Sequence, residues 1–140
     1  MGTEESSFIS TYILENGRAV FEPDIVKWAE WYENCGEARW IEYDDLGNGC
    51  EVSTVFLGID YGVLSDSNGP VLYETMVFGG SLDGYCIRSS SLIGSRGNHY
   101  DTVARAQIEI RKRKEKIKTG AFFAIIACGI ILFLASKYVI

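Results

Sequence analysis

Val52-Ser53-Thr54-Val55-Phe56-Leu57-Gly58-Ile59-Asp60 and Val71-Leu72-Tyr73-Glu74-Thr75-Met76-Val77-Phe78 read as two neighbouring β-strands. Both are rich in β-branched and aromatic residues, and both run into turn-forming residues. A period of two puts Val52 and Phe56 on one face of the first strand and Val55, Leu57 and Ile59 on the other. In the second strand Val71, Tyr73 and Val77 oppose Leu72, Met76 and Phe78. Apolar side chains on both faces predict a sheet that is covered on each side.

Further elements extend outward from this pair. Ala38–Asp45 reads as a strand that turns through Leu46-Gly47-Asn48-Gly49 into a strand over 50–59. A polar loop spans Asp60–Gly69. Turns at Gly79-Gly80-Ser81 and Asp83-Gly84 lead to a weaker strand at Tyr85–Ser89, and the Ser/Gly-rich segment Ser89–Asn98 reads as a loop. Upstream, Phe8–Leu14 and Arg18–Phe21 form a hairpin about Asn16-Gly17, a pair suited to a type I′ turn. A helix follows from Asp24 to about Asn34, opened by Pro23 and Asp24 and stopped by Gly36. Its apolar stripe is Ile25, Trp28, Ala29 and Tyr32, which leaves Trp31 outside. A second helix starts near His99, with the stripe Tyr100, Val103, Ala104 and Ile108. The expectation is a flexible N-terminus over 1–7 and a small α+β domain over 8–110. Its antiparallel sheet has about five or six strands, an N-terminal hairpin plus a meander, and two helices pack it, one toward each face.

The remaining chain is of a different kind. From Thr119 to Ile140 it reads TGAFFAIIACGIILFLASKYVI, with Lys137 as the only charge. At about 1.5 Å per residue this covers roughly 33 Å, the thickness of a bilayer's hydrocarbon core. No polar stripe runs along it, as a buried helix of a small domain would have. Lys137 and Tyr138 suit the headgroup interface. The start, MGTEESSF, is acidic and has no apolar signal region. Before the span lies a basic juxtamembrane segment over 111–118. Its Arg111, Lys112, Arg113, Lys114, Lys116 and Lys118 are expected to lie against the membrane surface. These charges place the N-terminal domain on the cytoplasmic side of a tail anchor. The second helix is expected to run on through this segment into the span as a stiff stalk. Gly120, Ala124 and Cys128 recur every four residues, a spacing that lets two membrane helices approach and makes this the candidate face for a homodimer, though small residues are common in membrane helices anyway. Cys35, Cys50, Cys86 and Cys128 show no paired spacing and read as reduced thiols.

Charge is divided unevenly. Residues 1–110 hold six basic and 18 acidic side chains, a formal charge of −12, while the whole chain carries −6. A domain so acidic is repelled by nucleic-acid backbones and by anionic lipid, and suits a basic protein partner. Trp31 and Trp40 are the candidate contact residues. For chemistry, the weak candidates are Glu74, Asp60, Asp83 and His99. Glu74 lies between Leu72 and Met76 on one strand face, where a carboxylate acts as acid or base unless an arginine such as Arg39 or Arg88 pairs with it. Asp60 and Asp83 sit at strand ends, and His99 at a helix start. No GxSxG elbow, phosphate loop, calcium loop or metal-ligand spacing is present. No catalytic set, metal or cofactor is expected.

The motifs VSTVFLG-x-D, from Val52 to Asp60, and ETMVFGG, from Glu74 to Gly80, resemble a group of small proteins encoded by tailed bacteriophages and prophages. The likeness extends over roughly 8–110 and includes a short hairpin and the Trp-rich helix bearing Trp28 and Trp31. The group carries a histidine after the aspartate where this chain has Tyr61, and a membrane anchor is not typical of it. The resemblance implies a viral origin and a small α+β fold, and brings no established activity. Taken together, the sequence predicts a non-enzymatic, membrane-anchored phage-type protein that binds membrane lipid and a host or phage protein. The alternatives are an acidic nucleic-acid mimic that inhibits a defence factor, a virion or lysis-related membrane component, and a small hydrolase using Glu74.

Overall fold

The structure, a computed structural model, describes residues 9–60 and 69–137, with side chains described as far as Phe133. The readings made on residues 1–8, on most of the Asp60–Gly69 loop including Tyr61, and on the side chains of Lys137 and Tyr138 lie outside the described residues.

Asn16 and Gly17 take positive φ, 50° and 76°, as a type I′ turn requires. They join β1 (Tyr12–Glu15) to β2 (Arg18–Phe21), with Glu15 opposite Arg18. Pro23 precedes α1 (Ile25–Asn34) rather than sitting in its first turn. Asp24 is the N-cap, its carboxylate accepting from the backbone N–H groups of Val26 and Lys27. A short 3₁₀ turn over Gly36–Arg39 leads into β3 (Trp40–Asp45), then β4 (Glu51–Phe56), β5 (Tyr73–Phe78) and β6 (Cys86–Ser89). β3-β4-β5-β6 form one antiparallel meander, and β1-β2 form a separate two-stranded sheet. Among the described residues, one isolated bridge, Thr11 to Ile59, ties the two sheets together. The fold is α+β, with six antiparallel strands among the described residues.

The meander is covered differently from the expectation. Val52, Thr54 and Phe56 of β4 and Tyr73, Thr75 and Val77 of β5 are buried and share one face. Phe56 and Tyr73, at one end of that face, pack against Tyr12 and Leu14 of the hairpin, Trp31 of α1 and Leu92. Val52 and Val77, at the other end, pack with Ala106, Val103 and Ile110 of the second helix. Both helices and the hairpin therefore gather on the same face. The opposite face carries Trp40, Tyr43, Val55, Glu74, Met76, Phe78, Cys86 and Arg88, of which Trp40, Tyr43 and Phe78 are about half exposed. A bulge at Trp40 and Ile41 makes this division possible in β3, because it sends Ile41 to the covered face and leaves Trp40 on the open one.

Within α1 the apolar stripe is rotated from the one expected. Ile25 is exposed, while Trp28, Ala29 and Trp31 turn inward. The Trp31 ring meets Phe56 edge-on at 5.9 Å, and the Trp28 indole N–H donates to the Gly58 carbonyl at 2.8 Å.

α2 runs unbroken from Leu92 to Lys137, 46 residues, or about 69 Å. It begins a full two turns before His99, inside the segment read as a loop. The Ser91 side chain accepts from the Gly94 N–H at 3.0 Å and caps the first turn. Its buried stripe is Ser95, His99, Thr102 and Ala106, whereas Tyr100 and Ile108 of the expected stripe are exposed. Beyond residue 110 the helix leaves the sheet. Phe122, Phe123, Ile125, Ile126, Ile130, Ile131, Leu132 and Phe133 are all exposed, and none of this apolar stretch is buried against the domain.

Candidate functional site

Two places bring polar side chains together. The first lies beneath α2. Thr54 and Thr75 are directly opposed in the β4–β5 register, and their hydroxyls are 2.7 Å apart. The third turn of α2 lowers His99 onto them, with Nδ1 2.9 Å from the Thr54 Oγ1. On its other side, His99 Nε2 lies 2.9 Å from Asp44 Oδ2 of β3. An ionised carboxylate only accepts, so Nε2 carries a proton; with the imidazole neutral, Nδ1 accepts from Thr54 and Thr54 accepts from Thr75. The line Thr75–Thr54–His99–Asp44 thus satisfies each group in turn.

Hydroxyl, imidazole and carboxylate in a row are also the parts of a nucleophilic triad. Here Thr54 and His99 are 0% exposed and Thr75 is 1% exposed, with the sheet on one side and α2 on the other. Neither the cleft lined by Asn48 and Arg113 nor that lined by Gln107 and Arg111 touches them. A substrate carbonyl has no route to Thr54. The arrangement is a polar lock that fixes α2 to three strands at one rotation.

The four acid and base candidates are not brought together. Glu74 faces the open side of the sheet and His99 the covered side. Glu74 accepts from Arg88 Nε at 2.8 Å in a cross-strand pair, one of the two pairings the sequence allowed. Asp60 accepts from the Val71 N–H at 2.8 Å. Asp83 accepts from the Gly79 N–H and shapes the β5–β6 turn. Beside Glu74, the Cys86 thiol is pushed up by desolvation first, then by its hydrogen bond to Glu74 and that carboxylate's charge, with Arg88 opposing. Of the two contact candidates, Trp31 is packed on Phe56 and Trp40 is exposed, its ring 5.5 Å from that of Tyr43. Gly120, Ala124 and Cys128 lie on the exposed part of α2.

The second place is where α2 parts from the sheet. The β3–β4 and β5–β6 turns meet there, because Gly79 lets them touch. A Cβ on Gly79 would lie 1.8 Å from the Gly49 carbonyl oxygen, and its φ is 74°. Between these turns and the helix is a cleft of about 260 Å³. Asn48 and Ser81 stand on the turn side, and Ile110, Arg113, Lys114 and Ile117 on the helix side. Cys50 backs the cleft, its thiol pushed up by burial and by the negative charges of Asp45, Asp83 and Glu51. Asp45 and Asp83 are themselves engaged by the Gly47 and Gly79 N–H groups. The sequence placed Arg113 and Lys114 in a basic run but gave no sign that two distant turns would close over them.

No family model, curated protein or solved structure matches the chain. Class therefore rests on architecture: an α+β domain on a helix long and apolar enough to cross a membrane, consistent with a single-pass membrane protein.

Proposed function

We propose that this is a non-enzymatic, membrane-anchored protein of phage type, whose acidic domain stands on the cytoplasmic side and binds a protein partner at the membrane surface. The observation that carries this reading is the exposed apolar helix continuous with the domain. Leaving eight large apolar side chains in water would cost on the order of 10 kcal/mol, a cost that lipid removes. The basic run over 111–118 supports the cytoplasmic orientation. The open sheet face supports the binding role. Trp40, Tyr43 and Phe78 offer exposed aromatic area of the kind that anchors interfaces, and Glu51 with Asp45 favours a partner bearing basic side chains.

The test is a fractionation followed by crosslinking in cells. The full-length chain should remain in the membrane pellet through alkaline carbonate, and the domain should resist protease added from outside the cell. A photocrosslinking residue at Tyr43 should capture a discrete partner, and one at exposed Tyr100 on α2 should not. Release by carbonate sinks the membrane part, and equal capture from both positions sinks the choice of face.

A further inference from the structure

We propose that the cleft between the two hairpin turns and α2 holds the phosphate of an anionic phospholipid headgroup, a site that rests on the membrane reading above. Four observations lead there. The first is position. Counting up the helix from Thr119, Ile117 stands roughly 3 Å above the start of the apolar stretch, Lys114 about 8 Å and Arg113 about 9 Å. The headgroup layer on each side of a bilayer is about 5–8 Å deep, so the cleft opens at its level.

The second is charge. Arg113 and Lys114 line the cleft and have no carboxylate partner among the described residues, whereas Lys112, one residue earlier, pairs with Glu109 at 2.8 Å. The third is the opposite wall. Asn48 and Ser81 contribute an amide and a hydroxyl that can donate to phosphate oxygens, and the nearby carboxylates of Asp45 and Asp83 are turned to backbone amides. The fourth is amphipathy. Ile117 lines the bilayer side of the same cleft, below Lys114 and Arg113, and suits the glycerol and first methylenes that follow a lipid phosphate, while Ile110 closes the cleft on the domain side. A free anion would have no use for Ile117. Guanidinium and ammonium together give a phosphate both a directional fork and a point charge.

The experiment uses the full-length protein in nanodiscs of phosphatidylcholine with a minority of phosphatidylglycerol, released for native mass spectrometry. The wild type should carry one phosphatidylglycerol in preference to phosphatidylcholine. Arg113→Gln with Lys114→Gln should lower that population by roughly tenfold or more, the loss of two charge-assisted contacts. Lys116→Gln with Lys118→Gln removes the same charge outside the cleft and should change it by less than about twofold. Ser81→Trp, which fills the cleft without altering charge, should lower it as the first pair does. Equal losses in the two charge pairs, or full retention by both the cleft pair and Ser81→Trp, would overturn the site. Displacement of the lipid by inorganic phosphate at concentrations that leave the discs intact would assign the cleft to a free anion and overturn it too. Carbonate extraction of the same variants separates this outcome from failure of the membrane reading, because a protein that stays in the pellet without a selected lipid loses only the cleft.

Discussion

Thr54 is the residue on which the covered face turns. Its hydroxyl is the sole link in the chain between Thr75 and His99, so Thr54→Val strands a buried Nδ1 and a buried hydroxyl at once. We expect a loss of about 2–4 kcal/mol, read as a lowered denaturation midpoint of the full-length protein in detergent. Thr75→Val leaves Thr54 free to donate to His99 and should cost only about 1 kcal/mol. If the two variants were equally stable, the proton order given above would be wrong. At the open face, Glu74→Ala removes the acceptor and the negative charge that add to desolvation in holding the Cys86 thiol up, and leaves only desolvation against the lowering effect of Arg88. Alkylation of Cys86 near neutral pH should accelerate by about two- to tenfold, with its inflection moved to lower pH. Peptide mapping after iodoacetamide treatment reads this directly. Much of this was hidden in the sequence for a physical reason. Hydrophobic periodicity finds apolar contacts, and much of the buried stripe of α2 is polar, Ser95, His99 and Thr102, with His99 set on Thr54 of the sheet. One signal was available: Thr54 lies between Val52 and Phe56 at period two, so burial of those two buries it as well.

Among the elements, the hairpin, the meander order and α1 were legible, because Asn16-Gly17, the glycine-rich turns and Asp24 act locally. The start of α2 was not. Gly94 and Gly97 weaken a helix, and only the Ser91 cap and packing on the sheet override them. The one-sided cover was not legible either, since period two cannot say whether a half-apolar face meets a helix or a partner. The β5–β6 turn carries its own test. Gly79→Ala would place a methyl group into the Gly49 carbonyl and strain a positive φ. It should destabilise the domain by about 2–4 kcal/mol, and the two turns that form the cleft should separate. An unchanged midpoint would show that the turns do not meet as described. The continuity of α2 is testable at the same scale. Glu115→Pro, placed in the basic segment with no sheet contact, should break the helix there while leaving the fold of the domain intact. Spin labels on either side of the substitution should show a broadened distance distribution, and a narrow one would argue that the two parts were never a single helix.

At the level of the whole molecule, the two hairpin turns and the cleft lie at the end where α2 departs, while α1 and the β1–β2 hairpin lie at the other. The strands therefore run along the helix rather than across it, and the open face stands upright from the bilayer when the span is inserted. Because α2 is one unjointed rod, an inserted span would pass its inclination to everything fastened to it. Membrane helices lean by about 20° on average, and the lean changes with bilayer thickness. Between Leu92 and Lys118 the rod is about 40 Å long, so such a lean carries its far end sideways by roughly 14 Å. On the proposed reading, a thinner or thicker membrane would swing the aromatic face through that arc, and lipid composition would steer which neighbours it can reach.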